Sequence, residues 1–240
     1  TWHITDGELH NVRQDRRLYL TEGATGIRKL AIEHTFDISR DTKAILSAGY
    51  LEWMYGGIGG QIVHKPINSP WGIGAEGYWV KQREFDQKFS FQEFQTFTGF
   101  INFFYDLPFY DLRFQSSAGK FLGTDVGFTF DLSRRFDSGA RVGAGFALTD
   151  CDAECTGEGS FNKWIYFELP MDPFYVSRTT RAKTGYGWNP LTKNSGNKIS
   201  AGSLYELVTD ATDEMETLRR DKWSVRKILS GFGSKPKNRL

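Results

Sequence analysis

Residues 109–149 read FYDLRFQSSAGKFLGTDVGFTFDLSRRFDSGARVGAGFALT. Leu112, Phe114, Ser116 and Ala118 interleave with Asp111, Arg113, Gln115 and Ser117. Val126, Phe128, Phe130 and Leu132 then alternate with Gly127, Thr129, Asp131 and Ser133, and Ala140, Val142, Ala144, Phe146 and Leu148 with Arg141, Gly143, Gly145 and Ala147. Successive side chains of a strand point to opposite faces, so three consecutive period-two segments predict three strands with one apolar and one polar face.

Weaker alternation at 27–38, 44–55, 71–83, 93–106, 162–169 and 179–188 extends the pattern in both directions. The links between these segments alternate in length. SRDTK, DLPFY, FDSG and MDPF are short, whereas GGIGG, KQREFDQKFSFQ, GKFLGT and DCDAECTGEGS are longer or more polar. Short turns at one end and longer links at the other are the pattern of outer-membrane barrels. RRLYLT at 16–21 and KISAGSLYELV at 198–208 supply the first and last strands that an even count with both termini on the periplasmic side needs. The predicted fold is all-β: an antiparallel up-and-down transmembrane β-barrel of about 12 strands over residues 1–208. A basic tail, 209–240, follows, with helical spacing at Val208, Ala211, Met215, Leu218, Val225 and Leu229 that predicts a C-terminal amphipathic α-helix.

Phe103, Phe104, Tyr105, Phe109, Tyr110, Phe136, Phe174 and Tyr175 fall beside the short turns, where an interfacial girdle lies. The apolar rows would face lipid, and the opposite rows, with Arg113, Gln115, Asp131, Arg141, Arg181 and Lys183, a polar lumen. A soluble β-sandwich shows the same alternation with its apolar row in a core. Strands of about 9–11 residues and aromatics at the turns favour the barrel.

Composition agrees with a β-protein: 26 Gly, 20 Phe and 15% aromatic residues in 240. No stretch free of Asp, Glu, Lys and Arg exceeds 12 residues, too short for a spanning helix of about 20. The net charge of +1 gives no electrostatic reason to expect nucleic acid. It conceals a division, because residues 217–240 hold eight basic side chains against Asp221, or +7, leaving 22 basic and 28 acidic residues, or −6, elsewhere. The two cysteines, Cys151 and Cys155, sit in CDAECTGEG, which suits a local disulfide in an oxidising compartment.

No motif carries catalysis. His3, His10, His34 and His64 lie in no catalytic context, and acidic pairs such as Asp131 with Glu76 or Glu168 are not singled out. GGIGG at 56–60 lacks the GK[ST] ending and following helix of a phosphate loop and reads as a loop or tight bend. The expectation is a non-enzyme with no cofactor and no metal.

Several phrases together, GYLEWMYGGIGGQIVHKP, WGIGAEGYWVKQREFDQKF, DLSRRFDSGARVGAGFALTD, GEGSFNKWIYFELP, WNPLTKNSG and LYELV, resemble the C-terminal barrel region of the YjbH family of Gram-negative exopolysaccharide and capsule proteins, GfcD-like proteins among them. The similarity runs from about residue 16 to 208. It implies an outer-membrane protein with tandem barrels, of which this chain is one, preceded by another barrel of the same polypeptide. Outer-membrane lipid, exopolysaccharide and other export-machinery proteins are the implied partners. A polysaccharide contact would use lumen residues: Lys29, Glu33, Arg113, Gln115, Asp131, Arg141, Arg181 and Lys183. Two other readings stay open, a soluble carbohydrate-binding β-sandwich and a lipid-modifying barrel enzyme.

Overall fold

The computed structural model describes residues 12–136, 140–151, 161–170, 183–188 and 195–209. Their strands, β1 (Leu30–Ser39), β2 (Thr42–Tyr50), β3 (Tyr55–His64), β4 (Trp71–Arg83), β5 (Phe91–Asp106), β6 (Leu112–Lys120), β7 (Val126–Arg135), β8 (Arg141–Thr149), β9 (Lys163–Pro170) and β10 (Lys183–Trp188), form one sheet in chain order. Every pairing is antiparallel and between sequence neighbours, the up-and-down connectivity read from the alternation. β1 and β10 are the edges, and no pairing joins them among the described residues. The all-β, antiparallel expectation is met.

Three segments depart from the prediction. Residues 16–21 are not a strand but most of a short helix, α1 (Arg16–Glu22). Asp15 O accepts the N–H groups of Leu18 and Tyr19, and Gly23 N–H closes the last turn on Tyr19 O. Three alternating residues are too few to separate strand from helix, and tertiary contact decides. Tyr19 is fully buried, donates its hydroxyl to Arg83 O at 2.5 Å and packs edge-on against Trp53 and Phe85. Residues 198–208 are not the last strand either: 198–203 are irregular and 204–209 helical. GGIGG, read as a link, is the centre of β3, and β2 ends earlier than expected, at Tyr50, leaving 51–54 as the connection. A run of glycines carries no facial pattern, so alternation could not reveal it. The described residues hold ten strands, where about 12 were expected.

The distribution of faces is inverted relative to a water-soluble sheet. On β7, Val126, Phe128 and Leu132 are 51%, 54% and 47% exposed, whereas Thr129 and Ser133 are buried. The exposed face continues through Ile58 and Ile62, Trp71, Ile73 and Trp79, Phe97, Ile101 and Phe103, Val142, Phe146 and Leu148, and Ile165, Phe167 and Leu169. Cross-strand pairs on it are apolar: Trp79 with Ile58 and Phe97, Ile73 with Phe103, Phe130 with Phe146. Trp71 and Trp79, eight positions apart, bracket the β4 row over about 26 Å of strand. Such a band, apolar and about 25 Å tall between aromatic residues, is what a lipid-facing surface needs. Phe103, Phe109 and Tyr110 are exposed beside the short turns as expected, but Phe104 is not part of that girdle. It faces inward, 3% exposed, because its neighbours Phe103 and Tyr105 occupy the outward parity. Phe174 and Tyr175 lie outside the described residues.

Candidate functional site: the plugged polar face

Inward positions are polar and buried: Ser47, Gln61, Thr96, Thr98, Asn102, Ser117, Thr129 and Ser133 are all at most 9% exposed. What covers them is the chain itself. Residues 195–209 run across this face, and an irregular segment without a ladder must have its backbone groups satisfied by side chains. Asp125 Oδ2 accepts Gly196 N–H at 2.8 Å, and Asn162 Nδ2 donates to Gly196 O at 3.1 Å. Leu122 N–H bonds Asn197 O, and Glu52 Oε2 accepts Ser200 N–H at 3.0 Å. The Gln61 amide donates to Gly202 O at 2.6 Å and accepts Leu204 N–H at 2.7 Å, so one side chain acts as a strand edge for the plug. Leu204 and Glu206 sit on the same helical turn, yet bond Gln61 in β3 and Arg141 in β8. Those strands would be about 24 Å apart in a flat sheet, so the sheet bends round the plug with its polar face inside.

Charge follows the same plan. Arg13 grips Glu52 with both terminal nitrogens, at 2.6 and 3.1 Å, and donates to Lys198 O at 3.0 Å. One carboxylate thereby ties the N-terminal segment and the plug together, and paired charged contacts of this kind are the strong ones. Lys198 reaches Glu76 and Asn102, both at 3.5 Å, with its ammonium 3.9 Å from the centre of the Phe100 ring. Tyr205 stacks on Phe104 at 3.7 Å between centroids, and Arg113 covers the same Tyr205 ring at 5.1 Å. Burial pushes the Lys198 ammonium down from its ordinary pKa, against the opposing pull of Glu76. Burial also pushes the Asp125 carboxyl up, and the Gly196 N–H only partly offsets it.

The residues singled out from sequence divide three ways. Arg113, Gln115, Asp131 and Arg141 face the polar interior. Arg113 pairs with Asp106 at 2.6 Å, and Arg141 with Glu206 of the plug at 2.5 Å. Asp131 accepts Trp164 Nε1–H at 2.8 Å and the Tyr166 hydroxyl at 2.9 Å, joining β7 to β9 across β8. Gly143 and Gly145 of β8 leave the space in which those rings lie, since a Cβ at either would run into them. Lys29 and Glu33 form an exposed 3.0 Å pair at the edge strand, away from the plug. Arg181 and Cys155 lie outside the described residues, and Lys183 begins β10 opposite Pro170. The basic tail from 210 onward also lies outside them.

Gln61, Asn102, Glu52, Lys198 and Tyr205 were missed as site residues. Parity would have found the first two, because each is an amide at an inward position of an otherwise apolar or glycine-rich strand. Between wall and plug remains a cavity of about 190 Å³ lined by Gln61, Glu76, Asn102, Gln115 and Lys198 beside aromatic rings. No group of three or more His, Cys, Asp or Glu able to hold a metal occurs among the described residues. His34 is on the outer face of β1 against Phe36, and His64 Nδ1 meets Thr42 Oγ1 at 2.9 Å on the outer rim, so neither joins the interior.

Comparison with known proteins supplies a family. The model described as exopolysaccharide biosynthesis protein YbjH, of the YjbH family, matches residues 3–210. An uncharacterized lipoprotein, YjbH, of Escherichia coli (strain K12) is 30% identical over 210 residues, covering 85% of this chain. The chain spans 30% of that relative's length. No solved structure matches.

Proposed function

The chain belongs to the YjbH family of exopolysaccharide biosynthesis proteins, and from that premise we propose that it is a non-enzymatic outer-membrane β-barrel component of exopolysaccharide or capsule secretion or assembly. In this reading β1 and β10 belong to one closed barrel whose short turns and termini are periplasmic, and a preceding barrel belongs to the same polypeptide. The relative named as a lipoprotein supports a place in the cell envelope. Lipid, exopolysaccharide and other export proteins are the partners.

The observation that carries the reading is the inverted sheet, with apolar rows exposed and amides, hydroxyls and ion pairs buried. A water-soluble sandwich would have buried the Val126, Phe128, Phe130, Leu132 row, and no second sheet covers it among the described residues. Exposed apolar area this extensive marks a membrane or protein contact. No helix among the described residues is long and apolar enough to cross a membrane, so spanning falls to the strands. The plug sets the mechanism: polymer would meet a polar interior already occupied by residues 195–209, which makes the barrel a binding or assembly element in this conformation. Reconstitution into lipid vesicles tests the proposal. The expected result is heat-modifiable migration on gels and protection of the strands from protease; monodisperse behaviour without detergent would contradict it. Cys151 and Cys155 would close a five-residue loop in the oxidising envelope, and thiol alkylation without reductant should then label neither.

A further inference from the structure

The cavity between plug and wall has a chemistry of its own. Its polar lining comes from both sides: Gln61, Glu76, Asn102 and Gln115 from β3, β4, β5 and β6, and Lys198 from the plug. At about 190 Å³ it has room for roughly six waters at liquid density, the scale of one monosaccharide ring rather than an oligomer. Its two charges already face each other, Lys198 Nζ lying 3.5 Å from Glu76 Oε1, so the site carries no uncompensated cation for a carboxylate or phosphate. What remains for a ligand is amide chemistry. The Gln115 side chain makes no hydrogen bond among the described residues, the Asn102 side chain uses only its carbonyl oxygen, and Glu76 only one of its two carboxylate oxygens. Donors and acceptors held beside the Tyr78 and Phe100 rings match a polyol with hydroxyls at its edge and C–H groups on its faces.

We propose that this cavity is a subsite for a single neutral hexose unit, built jointly by the barrel wall and residues 198–205, so that the plug is half of the binding site. The inference rests on the exopolysaccharide reading above and deepens it by naming the saccharide class and the residues. An acidic sugar would bring a second carboxylate beside Glu76 and is disfavoured. Because residues 198–205 complete the site, occupancy ties the plug to the wall through the sugar hydroxyls.

The test is saturation-transfer NMR on the full chain in detergent micelles, with methyl α-glucoside, methyl β-galactoside, methyl α-mannoside and glucuronate as probes. At least one neutral glycoside is expected to receive saturation at about 10 mM, glucuronate none. Asn102→Ala and Gln115→Ala are each expected to weaken binding about tenfold or more, while Lys120→Ala, outward-facing on β6, leaves it unchanged. Each variant is first checked for heat-modifiable migration. No transfer to any neutral glycoside from correctly folded protein, equal binding by both amide variants, or a preference for glucuronate would overturn the subsite. Sugar binding that persists in a protein unable to enter vesicles would overturn the membrane reading and leave the subsite standing.

Discussion

The two faces of β7 are built from neighbouring residues and live in opposite environments. Phe128 is 54% exposed, and Thr129, one residue on, is 7% exposed. In a sheet that packs in water the apolar row goes inside; here the hydroxyls and carboxylates are inside, with Asp131 satisfied by Trp164 and Tyr166 of β9 and the face covered by residues 195–209. Alternation assigns residues to faces, but which face is buried depends on what covers it, and only the plug answers that.

Placing a charge on the outer face should have the largest effect. Phe128→Arg is expected to cost about 2–4 kcal/mol near the bilayer midplane, read as a lower urea midpoint in vesicles, whereas Phe128→Leu should cost less than about 1.5 kcal/mol. On the inner face the danger is reversed, since removing a polar group is harmful. Asp131→Ala strands the Trp164 and Tyr166 donors and is expected to cost about 1–3 kcal/mol for each, with a shift in tryptophan fluorescence reporting the lost Nε1–H bond. Gln61→Ala removes two bonds to the plug but none of the sheet ladder. About 1–2 kcal/mol is expected to be lost from plug docking, seen as faster proteolysis within 195–209 while the strands stay protected.

The smallest effect concerns pH. The Asp125 carboxyl is held above its ordinary value by burial, so the folded protein binds more protons there than the unfolded chain. Its contribution is therefore full below about pH 4 and falls as pH rises through the raised value. Asp125→Asn keeps an acceptor for Gly196 N–H and should flatten that slope; an unchanged slope would mean the Asp125 carboxyl titrates alike in the folded and unfolded chain.

The strands between 112 and 148 were legible because each carries bulky apolar residues on one parity and polar ones on the other. β3 was not, since Gly56, Gly57, Gly59 and Gly60 have no side chains to declare a face. Leu18, Tyr19 and Leu20 read as a strand until Tyr19 finds its burial site beneath Arg83, a contact 64 positions away. The interior followed the same division. Arg113, Gln115, Asp131 and Arg141 stood out as polar residues in clean alternation, while Glu52 and Lys198 become site residues only through bonds between segments more than a hundred residues apart. Local periodicity holds no trace of such bonds, and a plug that borrows wall side chains for its backbone has no period of its own.

Spin labels at single cysteines placed one by one from 126 to 133, in a Cys151→Ser, Cys155→Ser background reconstituted in vesicles, test the inverted sheet most directly. Oxygen, which concentrates in lipid, is expected to relax labels at 126, 128, 130 and 132 and to spare those at 127, 129, 131 and 133. Relaxation of the first set by a water-soluble nickel complex instead, with no period-two response to oxygen, would contradict it.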